Sequence, residues 1–131
     1  MVGLLRLTRA ALLTQGAYYV LVGLWPLVSI RTFQIVTGPK IDLWLVRTVA
    51  VLTLVIGAAV LLAWRRNRLL PETAVVAIGA ALGFAVIDVV YSLGGRISPV
   101  YLLDAVAELA LAAVLAAAAW QLGREPRASS A

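Results

Sequence analysis

Residues 43–64 read LWLVRTVAVLTLVIGAAVLLAW, with Arg47 as their only charge. This kind of run constrains the chain more than any other feature. A bilayer core of about 30 Å takes roughly 20 apolar helical residues to cross. Three further windows meet that requirement, at about 10–30, 71–93 and 99–121, and no comparable window remains. Composition agrees. The 131 residues are 63% hydrophobic and 13% charged, where soluble domains run at roughly 45–50% apolar and about 25% charged. The expected fold is all-α: a four-transmembrane-helix up-down bundle forming one domain over residues 1–122. The polar remainder, GREPRASSA at 123–131, is expected to be a short disordered tail.

Each span is punctuated as a helix. Asp42 stands as an N-cap before the second, and Pro71 with Glu72 opens the third. SLGG closes the third, and Ser98 with Pro99 opens the fourth as cap and first-turn proline. Arg6, Arg9, Arg65, Arg66, Arg68, Arg124 and Arg127 flank one side, against Arg31, Lys40, Arg96 and the more embedded Arg47 on the other. By the positive-inside rule both termini are cytoplasmic, in a multi-pass protein of the cell membrane. Arg6 and Arg9 imitate the start of a signal peptide. The apolar stretch behind them runs past Tyr18, Tyr19 and Trp25 without a small-x-small cleavage site, so a retained helix is expected. Trp25, Trp44, Trp64 and Trp120 fall two near each face, as an aromatic belt. Pro26 is expected to kink the first span. The first outer loop, RTFQIVTGPKID, is long enough for a single interfacial helical turn carrying Ile30, Phe33 and Val36. It reads as a connector, with a lid over a site as the alternative.

Three of the six carboxylates lie inside apolar runs: Asp88, Asp104 and Glu108. Counting depth along the spans places all three, with Arg47 and Tyr91, in the outer half of the bundle. Asp104 and Glu108 are four residues apart on one face, so as like charges they repel. On the first span Gln15, Tyr18, Tyr19, Val22, Pro26 and Ser29 form one stripe, too polar for a lipid face. A carboxylate at mid-membrane costs roughly 2.5–3.5 kcal/mol. Three facing lipid make a poor arrangement, so they should face the bundle interior or a wet pocket. Arg47 is the expected counter-charge, with Arg31 and Arg96 as second candidates reaching from the rim and water serving Asp104 near the interface. Candidate residues for a ligand site or polar network are thus Arg47, Asp88, Asp104, Glu108, Tyr91, Tyr18 and Gln15. On the opposite side of the third span, Gly79 and Gly83 make a small-xxx-small pair, expected to receive another helix.

Several chemistries drop out. The chain has no Cys and no His, so a thiolate or imidazole metal site, a redox dithiol and a nucleophilic triad are all excluded. With one Met, haem ligation is not expected, and neither a metal nor an organic cofactor is implied. The net charge of +5 is scattered at span edges, which fits membrane anchoring and not nucleic acid. Carboxylates, tyrosines and arginines remain, suited to proton transfer, cation binding or recognition of a polar head on a lipophilic molecule.

The stretch GLWPLVSIRTFQIVTGPKIDLWLVRTV, residues 23–49, resembles small four-helix membrane proteins of bacteria, loosely the DoxX-like group. It covers under half the chain. The resemblance implies a four-helix bundle in a bacterial inner membrane and carries over no catalytic residue. Three functions follow from the residues. The first is a binding or transport module for a small lipophilic or cationic ligand, an ion or a proton. The second is a non-catalytic accessory subunit of a larger complex, joined through small-residue helix faces. The third is a membrane-embedded acid–base enzyme acting on a lipophilic substrate. The balance of features leans away from an enzyme.

Overall fold

The computed structural model describes residues 2–124, and all of its regular structure is helical. In chain order the elements are α1 (Val2–Val28), α2 (Ile30–Thr37), α3 (Leu43–Arg66), α4 (Pro71–Leu93) and α5 (Tyr101–Arg124). The four long helices hold 27, 24, 23 and 24 residues. At a rise of about 1.5 Å per residue, each is long enough to cross a bilayer. The tail expected from 123 begins with Gly123 and Arg124 still in α5, and its remaining residues lie outside those described.

Helix ends follow local chemistry. Asp42 precedes α3 as expected, but its side chain makes no capping bond. Its backbone carbonyl instead accepts from the N–H groups of Leu45 and Val46, at 3.0 and 3.2 Å. Pro71 occupies the first turn of α4, where a missing N–H costs nothing. Gly95, at φ +69°, makes the reversal after α4 that a side-chain-bearing residue resists. Ser98 and Pro99 sit in a turn just before α5 and not in its first turn. The Tyr101 N–H closes that turn onto the Ser98 carbonyl at 3.1 Å.

The long helices form two hairpins. α1 packs along α3, α4 packs along α5, and the hairpins meet mainly through α1 against α5, with α3 grazing α4. Inward-facing residues recur every three or four positions: Ala50, Thr53, Gly57, Val60 and Ala63 on α3, for example. A repeat near 3.5 residues gives shallow left-handed crossings. α1 and α3 approach to backbone contact at Gly16, Gly23 and Gly57. A Cβ added at Gly57 would sit 2.8 Å from the Val20 nitrogen and 2.9 Å from the Gly16 carbonyl oxygen. Gly79 and Gly83 receive no helix among the described residues. Both are exposed, with nothing within 4 Å of an added Cβ. The reason is Asp88: the α4 face that buries it is the Ala74, Ala77, Ala81 and Ala85 stripe, and this turns the glycines outward. Opposite that stripe α5 presents Ala105, Ala112, Leu115 and Ala118.

The two ends of the bundle differ. Around Leu12, Val60, Ala77 and Leu115 the core is dry and apolar. Nearby, Arg9 lies over the Trp64 ring at 5.6 Å and donates to Asn67 Oδ1 at 2.9 Å, fastening the start of α1 to the end of α3. The opposite end carries α2 and the α4–α5 turn, and is called here the α2 end. Pro26 falls in the last turn of α1, buried, and the helix stops two residues later. Ser29 then caps α2, its hydroxyl accepting from the Thr32 N–H at 3.3 Å. α2 has two turns, longer than its sequence implied. Trp25 holds it through an indole donor to Thr32 Oγ1 at 2.9 Å and an edge-on contact with Phe33. Ile35 and Val36 point away from the bundle, while Thr37 is buried.

Candidate functional site

Three elements bring polar side chains together at the α2 end. From α1, the Tyr19 hydroxyl donates to Glu108 Oε2 of α5 at 2.7 Å, and the Tyr18 hydroxyl donates to Asp104 Oδ1 one turn earlier on α5. From α4, the carboxyl group of Asp88 comes close to that of Asp104. A proton held between two such groups would relieve their repulsion. Gln15 lies beside the Tyr19 hydroxyl, and its amide nitrogen crosses the bundle to the Ala77 carbonyl oxygen of α4 at 2.8 Å. Phe84 closes the wall, edge-on to Tyr19 with ring centroids 5.6 Å apart. The result is a polar column descending from Asp88 and Asp104, through Glu108 and Tyr19, to Gln15. It stops on the dry core around Leu12 and Leu115.

Burial deepens down the column. Asp104 and Tyr18 are half-buried, whereas Asp88 is 4% exposed, Glu108 and Tyr19 1%, and Gln15 0%. The column is most exposed at Asp104 and Tyr18. Among the described residues two buried acceptors have no hydrogen-bond partner: Asp88 Oδ2 and Gln15 Oε1. Unpaired buried acceptors cost roughly 1–3 kcal/mol each, more when charged. The site is thus rich in acceptors and short of donors.

It is also short of positive charge. Arg47 was the expected counter-charge, and the structure corrects this. Arg47 is exposed on α3, a helix that packs on α1 and not on α5. Among the described residues the charged groups facing Asp88 are Asp104 and Glu108, both acidic. Tyrosine hydroxyls take the place assigned to arginine, and at Asp104 the place assigned to water. Asp104 lies in the first turn of α5. The helix N-terminus there supplies a partial positive charge of about half a unit, which offsets one carboxylate in part. Tyr91, 45% exposed, stands outside the cluster. Gln15, Tyr18, Asp88, Asp104 and Glu108 are brought together; Arg47 and Tyr91 are not.

Two parts of the site were missed in the sequence. Tyr19 belongs to the stripe of Gln15, four residues away, and that spacing was the available signal. The second part is the roof. The Tyr101 hydroxyl, one turn before Asp104, lies beside Thr37 of α2. Over the Tyr101 ring, at 5.3 Å, stands the ammonium of Lys40. It also donates to the carbonyls of Thr37 and Gly38 at 2.9 and 3.1 Å, while its backbone N–H is held by Gln34 Oε1 at 2.9 Å. Partial burial lowers the Lys40 ammonium below the usual lysine range.

All four long helices are apolar enough to span a membrane, and their outward faces carry Leu21, Val55, Val75, Val86, Leu103 and Val106. An apolar exterior around a polar interior defines the class: a multi-pass, four-helix membrane protein. No family model, no curated protein and no solved structure matches the chain. The DoxX-like likeness of residues 23–49 therefore gains no support from a family match.

Proposed function

We propose that this protein is a binding module, with transport as its extension, for a proton or a small cationic ligand taken up at the α2 end. The orientation that fits is the one given by the arginine distribution, with both termini cytoplasmic and the α2 end facing out. One observation carries the reading: three carboxyl groups stand together, Asp88 and Glu108 buried and Asp104 half-buried, and among the described residues the charged groups facing Asp88 are acidic and Asp88 Oδ2 has no hydrogen-bond partner. Whatever neutralises such a site must arrive from outside and must bring hydrogen-bond donors.

The test is a proton count. The purified protein in lipid nanodiscs is titrated across the neutral range beside the variant carrying Asp88→Asn and Glu108→Gln. Wild type should take up about one more proton than the variant, the number that one shared carboxyl pair binds. Superimposed curves from two folded proteins would overturn the reading, since the acids would then be permanently neutral parts of the packing.

A second reading, an accessory subunit of a larger membrane complex, is favoured by one feature. Gly79 and Gly83 lie exposed beside an apolar groove that Ile78, Leu82, Ala119 and Leu122 help to line. Glycines facing lipid are where a foreign helix approaches most closely.

A further inference from the structure

We propose that the ligand of the acid site is a primary ammonium group carried on an apolar chain, and that Lys40 stands at its entrance as a tethered competitor. This deepens the reading above and rests on it.

The recognising chemistry is acceptor and aromatic throughout. Asp88 Oδ2 is buried without a partner, beside an Asp104 carboxyl whose other contact is the Tyr18 hydroxyl. An ammonium placed between Asp88 and Asp104 takes over the role of a shared proton. The proton it replaces leaves to water, so the charge of the site is unchanged, while three donors become available to the two carboxyl groups, Asp88 Oδ2 included. Tyr18 and Tyr19 keep their existing bonds to Asp104 and Glu108. A bare metal ion fits less well, because among the described residues no set of three or more His, Cys, Asp or Glu is placed to hold one.

The entrance already shows what it accepts. The ammonium of Lys40 rests over the Tyr101 ring at 5.3 Å, one turn from Asp104, and is held otherwise by two backbone carbonyls. A primary alkylammonium from outside meets the same ring and carbonyls first. An apolar tail follows from what surrounds the entrance. Leu103 and Val106, on either side of Asp104 in the sequence, are exposed on the outward face of α5, so a tail can stay in hydrocarbon while its head turns inward. A primary ammonium on an apolar chain comes from a free amine or from a lipid headgroup such as phosphatidylethanolamine.

The experiment measures binding of isotope-labelled dodecylamine to the full chain in phosphatidylcholine nanodiscs. Saturable binding is expected, weakened about tenfold or more by Asp88→Asn or Asp104→Asn, the scale of one charged hydrogen bond. Asp104 is half-buried, so its variant keeps the test usable if the Asp88 variant does not fold. Lys40→Gln should tighten binding severalfold by removing the competitor. Dodecyltrimethylammonium, which has no N–H, should bind at least about tenfold more weakly. Equal affinity for it or for dodecanol overturns the assignment, as does unchanged binding in all three variants. Competition by phosphatidylethanolamine in the nanodisc supports the assignment with a lipid as source, and its absence alongside amine binding supports a free amine. If dodecylamine fails to saturate while the proton count still separates wild type from variant, the ammonium assignment falls and the proton reading stands.

Discussion

A tyrosine hydroxyl against a buried carboxyl group supplies a donor without supplying a charge. Tyr19 does this for Glu108 where neither group reaches water, and Tyr18 does it for Asp104 where both remain half-buried. The two therefore differ in what their removal exposes. Tyr19→Phe leaves a buried oxygen with no replacement donor and should destabilise the protein by about 1–3 kcal/mol. Tyr18→Phe leaves Asp104 able to recruit water and should cost less. Unfolding midpoints in one detergent check this, and equal losses would mean that the two sites have equal access to water. The same residues show how far the sequence was legible. Depth along a span follows from counting, so the acids were expected near one end. Azimuth depends on which stripe is buried. Extended backwards, the α3 stripe through Ala50 and Thr53 falls on the half-buried Val46. Arg47, one residue on, is rotated about 100° around the helix and leaves the interior.

At the level of the element, two hairpins are built by different means. α1 and α3 meet backbone to backbone at glycines, and α4 and α5 meet through alanines. Gly57→Ala brings a Cβ against backbone atoms of α1 that cannot swing aside. It should cost about 1–3 kcal/mol, the usual range for overpacking. Gly79→Ala meets nothing within 4 Å and should be neutral, or stabilising by up to about 1 kcal/mol through helix propensity. Thermal unfolding of the two variants side by side decides it, and a comparable loss at Gly79 would mean that this face is packed in the protein as purified. The sequence pointed to Gly79 and Gly83, which meet no helix among the described residues, and passed over Gly16 and Gly57, which do. Gly79 and Gly83 carry the recognised four-residue spacing. Gly16 and Gly57 are partners across two helices, and no spacing within one helix announces such a pair. α2 was under-read for a related reason, since its hold on the bundle comes from Trp25, Thr37 and Lys40 and not from its own propensity.

For the whole molecule, hydropathy settled the number of spans, because a bilayer sets their length directly. What it left open is which end faces which side, and the chain contains a convenient reporter. Lys40 is its only lysine, in the segment after α2. Partial burial lowers its ammonium below the usual range, so the neutral amine is populated at lower pH than on an exposed lysine. A membrane-impermeant amine reagent should therefore acylate Lys40 in intact cells, and its reaction should persist to lower pH than that of a solvent-exposed lysine on a control protein. Lys40→Arg provides the blank, separating the lysine from any terminal amine. If the arginine-rich flanks are cytoplasmic, labelling occurs in intact cells and is not increased by permeabilising them. Labelling that requires permeabilisation would reverse the orientation. The polar column would then open toward the cytoplasm, with its geometry unchanged but its ligand drawn from the opposite side.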